Sequence, residues 1–189
     1  MLRPPEKTRT WLIESLSRDH DRASFDCGEV ALNEFLQKLA RQQQKKNVGR
    51  TFVAVPAPGA ATVLGFYTLS AGSVAFDMLP ETLGRRLPRY PVPIARLGRL
   101  AVDRSMQGQG VGASLLQDAL LRVARIALSD LGIHAVIVDA KNENARAFYE
   151  RYGFISFSDL PLTLFLPTKT ILATISPLAS RPDGPTLDS

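Results

Sequence analysis

One stretch limits the possible folds more than any other. In "RLAVDRSMQGQGVGASLL" (Arg99 to Leu116) an apolar run ends in a charged turn, glycines follow at positions 108, 110 and 112, and an amphipathic run begins. Glycine takes positive φ and lets other atoms approach the backbone closely. Exposed N–H groups just ahead of a helix form an anion-binding concavity, which the helix dipole reinforces. The loop 107–112 is therefore a candidate phosphate cradle between a strand and a helix. No Gly-Lys-Ser/Thr follows it, so it is not a P-loop, and its GxGxG spacing departs from the dinucleotide fingerprint GxGxxG. On the loop alone, a plain glycine-rich connection stays open as the alternative.

The rest of the chain reads as mixed α/β. "WLIESL" (11–16), "RTFVAVP" (50–56), "ATVLGFYTLSAGSV" (61–74), "IARLGRLAV" (94–102), "HAVIVDA" (134–140), "FISFS" and "LTLFLP" predict strands. "PAPGA" has the chemistry of a hairpin connection between the second and third. Leu32, Phe35, Leu36, Leu39 and Ala40 repeat at helical spacing within 29–46, and Val111, Leu115, Leu116, Ala119, Leu120 and Val123 do so within 110–130. A short helix is expected over 77–84 and a further helix over 142–154, stopped at Gly153. The composition from Ser176 onward reads as a disordered tail, which leaves one domain over 1–175 and a tail over 176–189.

Composition narrows the function. The single cysteine, Cys27, allows no internal disulfide, and His20 and His134 stand far apart, so a metal site has no support. No apolar stretch is long enough to span a membrane, which predicts a soluble, cytoplasmic protein. The formal charge of +5 suits a polyanionic partner, but solvated surface charge explains it equally well.

Two motifs together carry a resemblance. Gln107-x-x-Gly110-x-Gly112, between "RLAV" and a long helix, resembles the pyrophosphate-binding motif of the GCN5-related N-acetyltransferases (GNAT). Asn142-x-x-Ala145-x-x-Phe148-Tyr149-Glu150-x-x-Gly153-Phe154 resembles the second part of that family's signature, in the family's order. The resemblance implies a GNAT fold: a central mixed, mostly antiparallel sheet flanked by helices, with splayed strands that bind acetyl-coenzyme A (acetyl-CoA). It implies that Gln107, Gly108, Gln109, Gly110, Val111 and Gly112 hold the pyrophosphate. Leu100, Ala101 and Val102 would hydrogen-bond the pantetheine arm as an added strand does, with Asn142 and Phe148 beside it. A backbone N–H near Leu100 or Val102 would stabilise the oxyanion. Tyr149 occupies the family's position for the acid that protonates the departing thiolate, while Tyr152 is expected to be structural.

The acceptor is read from what is missing. Many family members carry a glutamate on the strand before the loop, but "IARLGRLAV" has Arg96 and Arg99 and no carboxylate. Without a base, an α-amine of reference pKa ~7.7–8.0 is a better acceptor than an ε-amine at ~10.4. Arginines favour an acceptor attached to a polyanion. Aminoacyl-tRNA meets both conditions, and Arg85, Arg86, Arg89, Arg96 and Arg99, with Lys45-Lys46, are the candidate RNA contacts.

A narrower resemblance agrees. "FDCGEVALNEFL", "RTFVAV", "GFYTLSAGSV", "LGRLAVDRSMQGQGVG" and "FYERYGF", roughly residues 10–172, are similar to the acetyltransferase toxins of bacterial toxin–antitoxin pairs. That implies a homodimer that acetylates aminoacyl-tRNA and blocks translation. It implies a ribbon-helix-helix antitoxin as partner, with operator DNA bound only through the antitoxin complex. The alternative within the family is an ordinary acetyltransferase acting on a small amine or a protein N-terminus. A binding module without catalysis is the third reading, against which Tyr149 argues.

Overall fold

The computed structural model describes residues 11–79, 87, 89–129 and 131–179. Arg85, Arg86 and most of the helix expected over 77–84 lie outside them; a 3-10 turn occupies Phe76–Met78. The strands are β1 (Leu12–Ser15), β2 (Arg50–Val55), β3 (Gly65–Val74), β4 (Val92–Val102), β5 (Ala135–Asp139), β6 (Ile155–Ser156) and β7 (Thr163–Pro167). They form one seven-stranded sheet in the order β1-β2-β3-β4-β5-β7-β6. Helix α1 covers 30–45, α2 is Val111–Ser129, α3 is Glu143–Glu150 and α4 is Thr168–Ala179. Helix α4 continues past Ser176, the residue where composition suggests that order ends.

Contacts gather the chain into two compact units. The first holds Met1–Gly72 and Arg96–Ala119. In it β2 pairs antiparallel with β1 (Leu12 opposite Val55) and with β3 (Arg50 opposite Leu69). Its core includes Leu16, Phe25, Phe35, Leu36, Val53 and Phe66. Residue 65 has to be glycine, because a Cβ there would lie 2.9 Å from both the Ala101 carbonyl oxygen and the Leu115 side chain. Tyr67, fully buried, donates from its hydroxyl to Asp118 at 2.5 Å, which ties α2 to β3.

Helix α1 departs from its expected stripe. It is α-helical over Val30–Glu34, π-helical over Phe35–Leu39 and α-helical again over Ala40–Lys45. A π turn bonds i to i+5 rather than i+4, so the apolar face steps from Phe35 and Leu36 to Ala40. Leu39, expected on that face, is 45% exposed.

The second unit holds Ser73–Ala95 and Leu120–Ser189. There β7 pairs antiparallel with β5 (Ala135 opposite Pro167) and β6 (Ile155 opposite Phe165). Ile94, Ala135, Ile137, Phe157 and Phe165 form its core. No described helix is long and apolar enough to cross a membrane.

Candidate active site

In the first unit, β4 delivers the chain to the glycine loop. Asp103 caps the 3-10 turn Arg104–Met106, its Oδ1 accepting from the Ser105 N–H at 3.0 Å and the Ser105 hydroxyl at 2.7 Å. Burial pushes the Asp103 carboxyl up, but these bonds and that from the Asp26 N–H outweigh it and hold the group below the ordinary carboxylate range. The Asp103 N–H donates to the Leu64 carbonyl at 2.9 Å.

Gly108 and Gly110 follow with φ of +75° and +93°, and a Cβ at either would meet nothing within 4 Å. These glycines serve the backbone path and whatever approaches from outside, since no protein atom packs on them. Gly112 differs from both, because it lies in the first turn of α2 and has no positive φ. The Ser114 N–H donates to the Gly110 carbonyl at 3.1 Å. The N–H groups of Val111, Gly112 and Ala113 precede that bond and have no intrahelical acceptor. With the positive end of the α2 dipole behind them, they suit a phosphate.

The glutamine side chains serve the loop itself. The Gln107 amide donates to the carbonyls of Cys27 and Val102, both at 3.1 Å. That of Gln109 donates to the Ser105 carbonyl at 2.9 Å. The Gln107 side chain thus holds the loop's base.

Leu100 and Val102 are half-buried at the end of β4, and Ala101 between them is buried. Arg99 lies with its guanidinium 3.7 Å over the Phe35 ring, has no carboxylate partner among the described residues, and is pulled below the ordinary arginine range by burial. Arg96, on the same strand, is half-buried.

In the second unit, Asn142 is the N-cap of α3, its Oδ1 accepting from the Ala145 N–H at 3.0 Å. Its amide N–H groups are what remain for a pantetheine carbonyl. The helix ends as the sequence predicts: Gly153 takes φ of +86° and the Phe154 N–H returns to the Tyr149 carbonyl at 3.3 Å. Tyr149 is 8% exposed, with its ring against Phe148 (centroids 5.2 Å apart) and Phe154 (5.5 Å). Burial pushes its phenol up to about 12. Its hydroxyl has no hydrogen-bond partner among the described residues. Tyr152 packs on Phe148 at 5.2 Å, a structural position.

Arg89, in the same unit, is exposed beside Tyr90, which is 59% exposed; both line a shallow cleft of about 470 Å³ with Phe76. Tyr90 is not among the candidates from sequence, where it sits in a proline-rich run without periodicity.

The family model described as "Acetyltransferase (GNAT) domain" matches residues 49–156, the span that carries both motifs. This chain belongs to the GNAT acetyltransferases. Among curated GNAT relatives, a "tRNA-acetylating toxin" of Mycobacterium tuberculosis is 41% identical over 161 residues, covering 85% of this chain and 93% of that one. A "Probable toxin TacT" of Sinorhizobium fredii is 35% identical over 169 residues, covering 85% and 92%. Among solved structures, AtaT complexed with acetyl-methionyl-tRNAfMet superposes with a TM-score of 0.81 at 37% identity, covering 87% of this chain and 99% of that one. Other AtaT structures hold acetyl-CoA with the antitoxin partner, or the AtaT–AtaR complex on DNA. Among the described residues no group of three His, Cys, Asp or Glu could hold a metal ion.

Proposed function

We propose that this GNAT acetyltransferase moves an acetyl group from acetyl-CoA to the α-amine of an aminoacyl-tRNA, and that this blocks translation. The observation that carries the reading is the glycine loop, where no protein atom stands at the side-chain positions of Gly108 and Gly110, ahead of first-turn amides that have no intrahelical acceptor. Similarity to tRNA-acetylating relatives over most of both chains supports the acceptor.

The roles follow from the chemistry. Amides of Gly108 to Gly112 bind the pyrophosphate of the coenzyme. Leu100, Ala101 and Val102 offer strand edges to the pantetheine arm, and an N–H near Leu100 or Val102 stabilises the oxyanion as the amine adds to the thioester. The α-amine is partly neutral near pH 7 and needs no carboxylate to deprotonate it. Tyr149 donates from its hydroxyl to sulfur as the C–S bond breaks. With its phenol near 12, complete proton transfer to a thiolate of reference pKa ~8.5 is uphill by about 5 kcal/mol. A hydrogen bond to the developing charge is therefore its main contribution.

Arg99, half-buried without a carboxylate partner among the described residues, suits an anionic acceptor. Exposed Arg89 and Tyr90 offer a phosphate contact and a stacking surface for RNA. We further propose that the protein acts as a homodimer in the cytoplasm and is neutralised by a cognate ribbon-helix-helix antitoxin, with operator DNA bound only through that complex. Similarity to AtaT, which is solved with the antitoxin AtaR, supports the antitoxin partner.

The deciding experiment offers charged tRNA, free amines and peptides side by side with acetyl-CoA. Acetylation of charged tRNA that weakens steeply with added salt is expected. Equal turnover of a free amine or a peptide N-terminus overturns the RNA reading and leaves an ordinary N-acetyltransferase.

A further inference from the structure

The glycine loop is held in place by a turn 77 residues earlier in the chain, and the hub of that turn is Asp26. Its N–H donates to Asp103 Oδ2 at 3.0 Å, and its carbonyl accepts from the Arg104 N–H at 2.9 Å. Its Oδ2 pairs with the Arg104 guanidinium at 3.0 Å. The other carboxylate oxygen accepts from the Gly28 N–H and from Asn33 Nδ2, both at 2.8 Å.

Asn33, half-buried in the first turn of α1, completes the arrangement. Its Oδ1 accepts from the Cys27 N–H at 2.9 Å and the Cys27 thiol at 3.1 Å. One side chain thereby fixes both Asp26 and Cys27, the residue whose carbonyl faces the loop. That carbonyl receives Gln107, whose amide also spans to Val102 at the end of β4.

Besides this turn, the Gln109 amide on the Ser105 carbonyl, at 2.9 Å, braces the loop. Nothing packs where side chains would stand at Gly108 and Gly110, and two left-handed glycines in series are conformationally free. A loop free to move must be ordered when the coenzyme binds, and that ordering weakens binding; a loop already in shape avoids the loss.

We propose that the Asp26–Asn33 turn positions the pyrophosphate cradle, with Asn33 as its central positioning residue. It acts through Cys27 and Gln107 on coenzyme affinity and leaves the chemical step alone. The inference rests on the coenzyme reading of the loop, so its test contains a control for that reading.

Acetyl-CoA is titrated calorimetrically into the wild-type protein and the variants Gly110→Val, Asn33→Ala and Gln107→Met, with melting curves for each. Gln107 is exposed, so its methionine variant keeps the fold even if Asn33→Ala does not. Asn33→Ala is expected to raise Kd and KM for acetyl-CoA about tenfold, the scale of one lost ordering hydrogen bond. Its kcat at saturating coenzyme stays within about twofold of wild type. Gln107→Met is expected to weaken binding in the same direction. A wild type that does not bind acetyl-CoA, or a Gly110→Val variant that binds it as tightly, removes the coenzyme reading and the inference with it. Where wild type binds and Gly110→Val binds more weakly, wild-type affinity in folded Gln107→Met and Asn33→Ala overturns the positioning role alone. So does an Asn33→Ala variant whose kcat and melting temperature fall together while its coenzyme KM stays unchanged.

Discussion

The two segments that carry the family's motifs are built in opposite ways. The glycine loop is open: no protein atom stands where side chains would at its left-handed residues, and in the proposed function its useful groups are backbone amides held from a distance by Asp26, Asn33 and Gln107. The Asn142–Phe154 segment is closed: a capped helix, a left-handed glycine at its end, and a buried tyrosine ring between two phenylalanines. The first works through the main chain and depends on conformation. In the proposed function the second works through one hydroxyl and depends on where a side chain is packed. Coenzyme affinity and turnover are thus assigned to different kinds of structure, and substitutions in the two segments should separate them.

The largest effect is expected in the closed segment. Tyr149→Phe removes one oxygen and keeps the ring's packing. Single-turnover acetylation should slow ~10²–10³-fold, the usual cost of losing one hydrogen-bond donor to developing charge, with acetyl-CoA affinity nearly unchanged. Tyr152→Phe should behave as wild type. Full-rate transfer by Tyr149→Phe would mean that water or another group meets the thiolate, and the proposed division of labour would break.

In the open segment the effect is smaller and falls on binding. Gly110→Val puts a branched side chain at φ of +93°, in space that is open beside the loop. Losing one or two charge-assisted contacts predicts acetyl-CoA affinity down ~10–100-fold by calorimetry. A folded variant with unchanged affinity would show that the open amides do not hold the pyrophosphate.

The smallest effect sharpens the reading of Tyr149 as buried. Its phenol is pushed from 10.0 to about 12 by burial. Between those values the unfolded chain releases a proton that the folded chain keeps, so stability is unaffected below pH 10 and falls as pH rises toward 12. The loss is at most about 3 kcal/mol at pH 12. Denaturant unfolding of wild type and Tyr149→Phe across about pH 9–11.5 should give curves that diverge only above about pH 10. Parallel curves would place the hydroxyl in water.

Much of the fold is legible because it depends on near neighbours. Apolar spacing locates α2 within a residue of its ends, and Gly153 marks the stop of α3 because only the left-handed region closes that turn without strain. Helix α1 is legible in place but not in face, since a π turn adds a residue that periodicity does not reveal. Helix α4 is not legible, and its end reads as tail, because "TKTILATISPLA" is rich in β-branched residues and carries a proline.

What the sequence by itself determined is local: a strand, a loop that only glycines can trace, a helix behind it, and a tyrosine within a capped segment. Each follows from steric limits and hydrogen bonds within a few residues of chain. The tertiary structure alone decided that Gln107 faces back toward Cys27, that Arg99 lies over Phe35, and that burial pushes the Tyr149 phenol above its ordinary range. Those outcomes join residues up to 80 positions apart. Such pairings depend on how packed elements meet, and no local preference of Gln, Arg or Tyr encodes them.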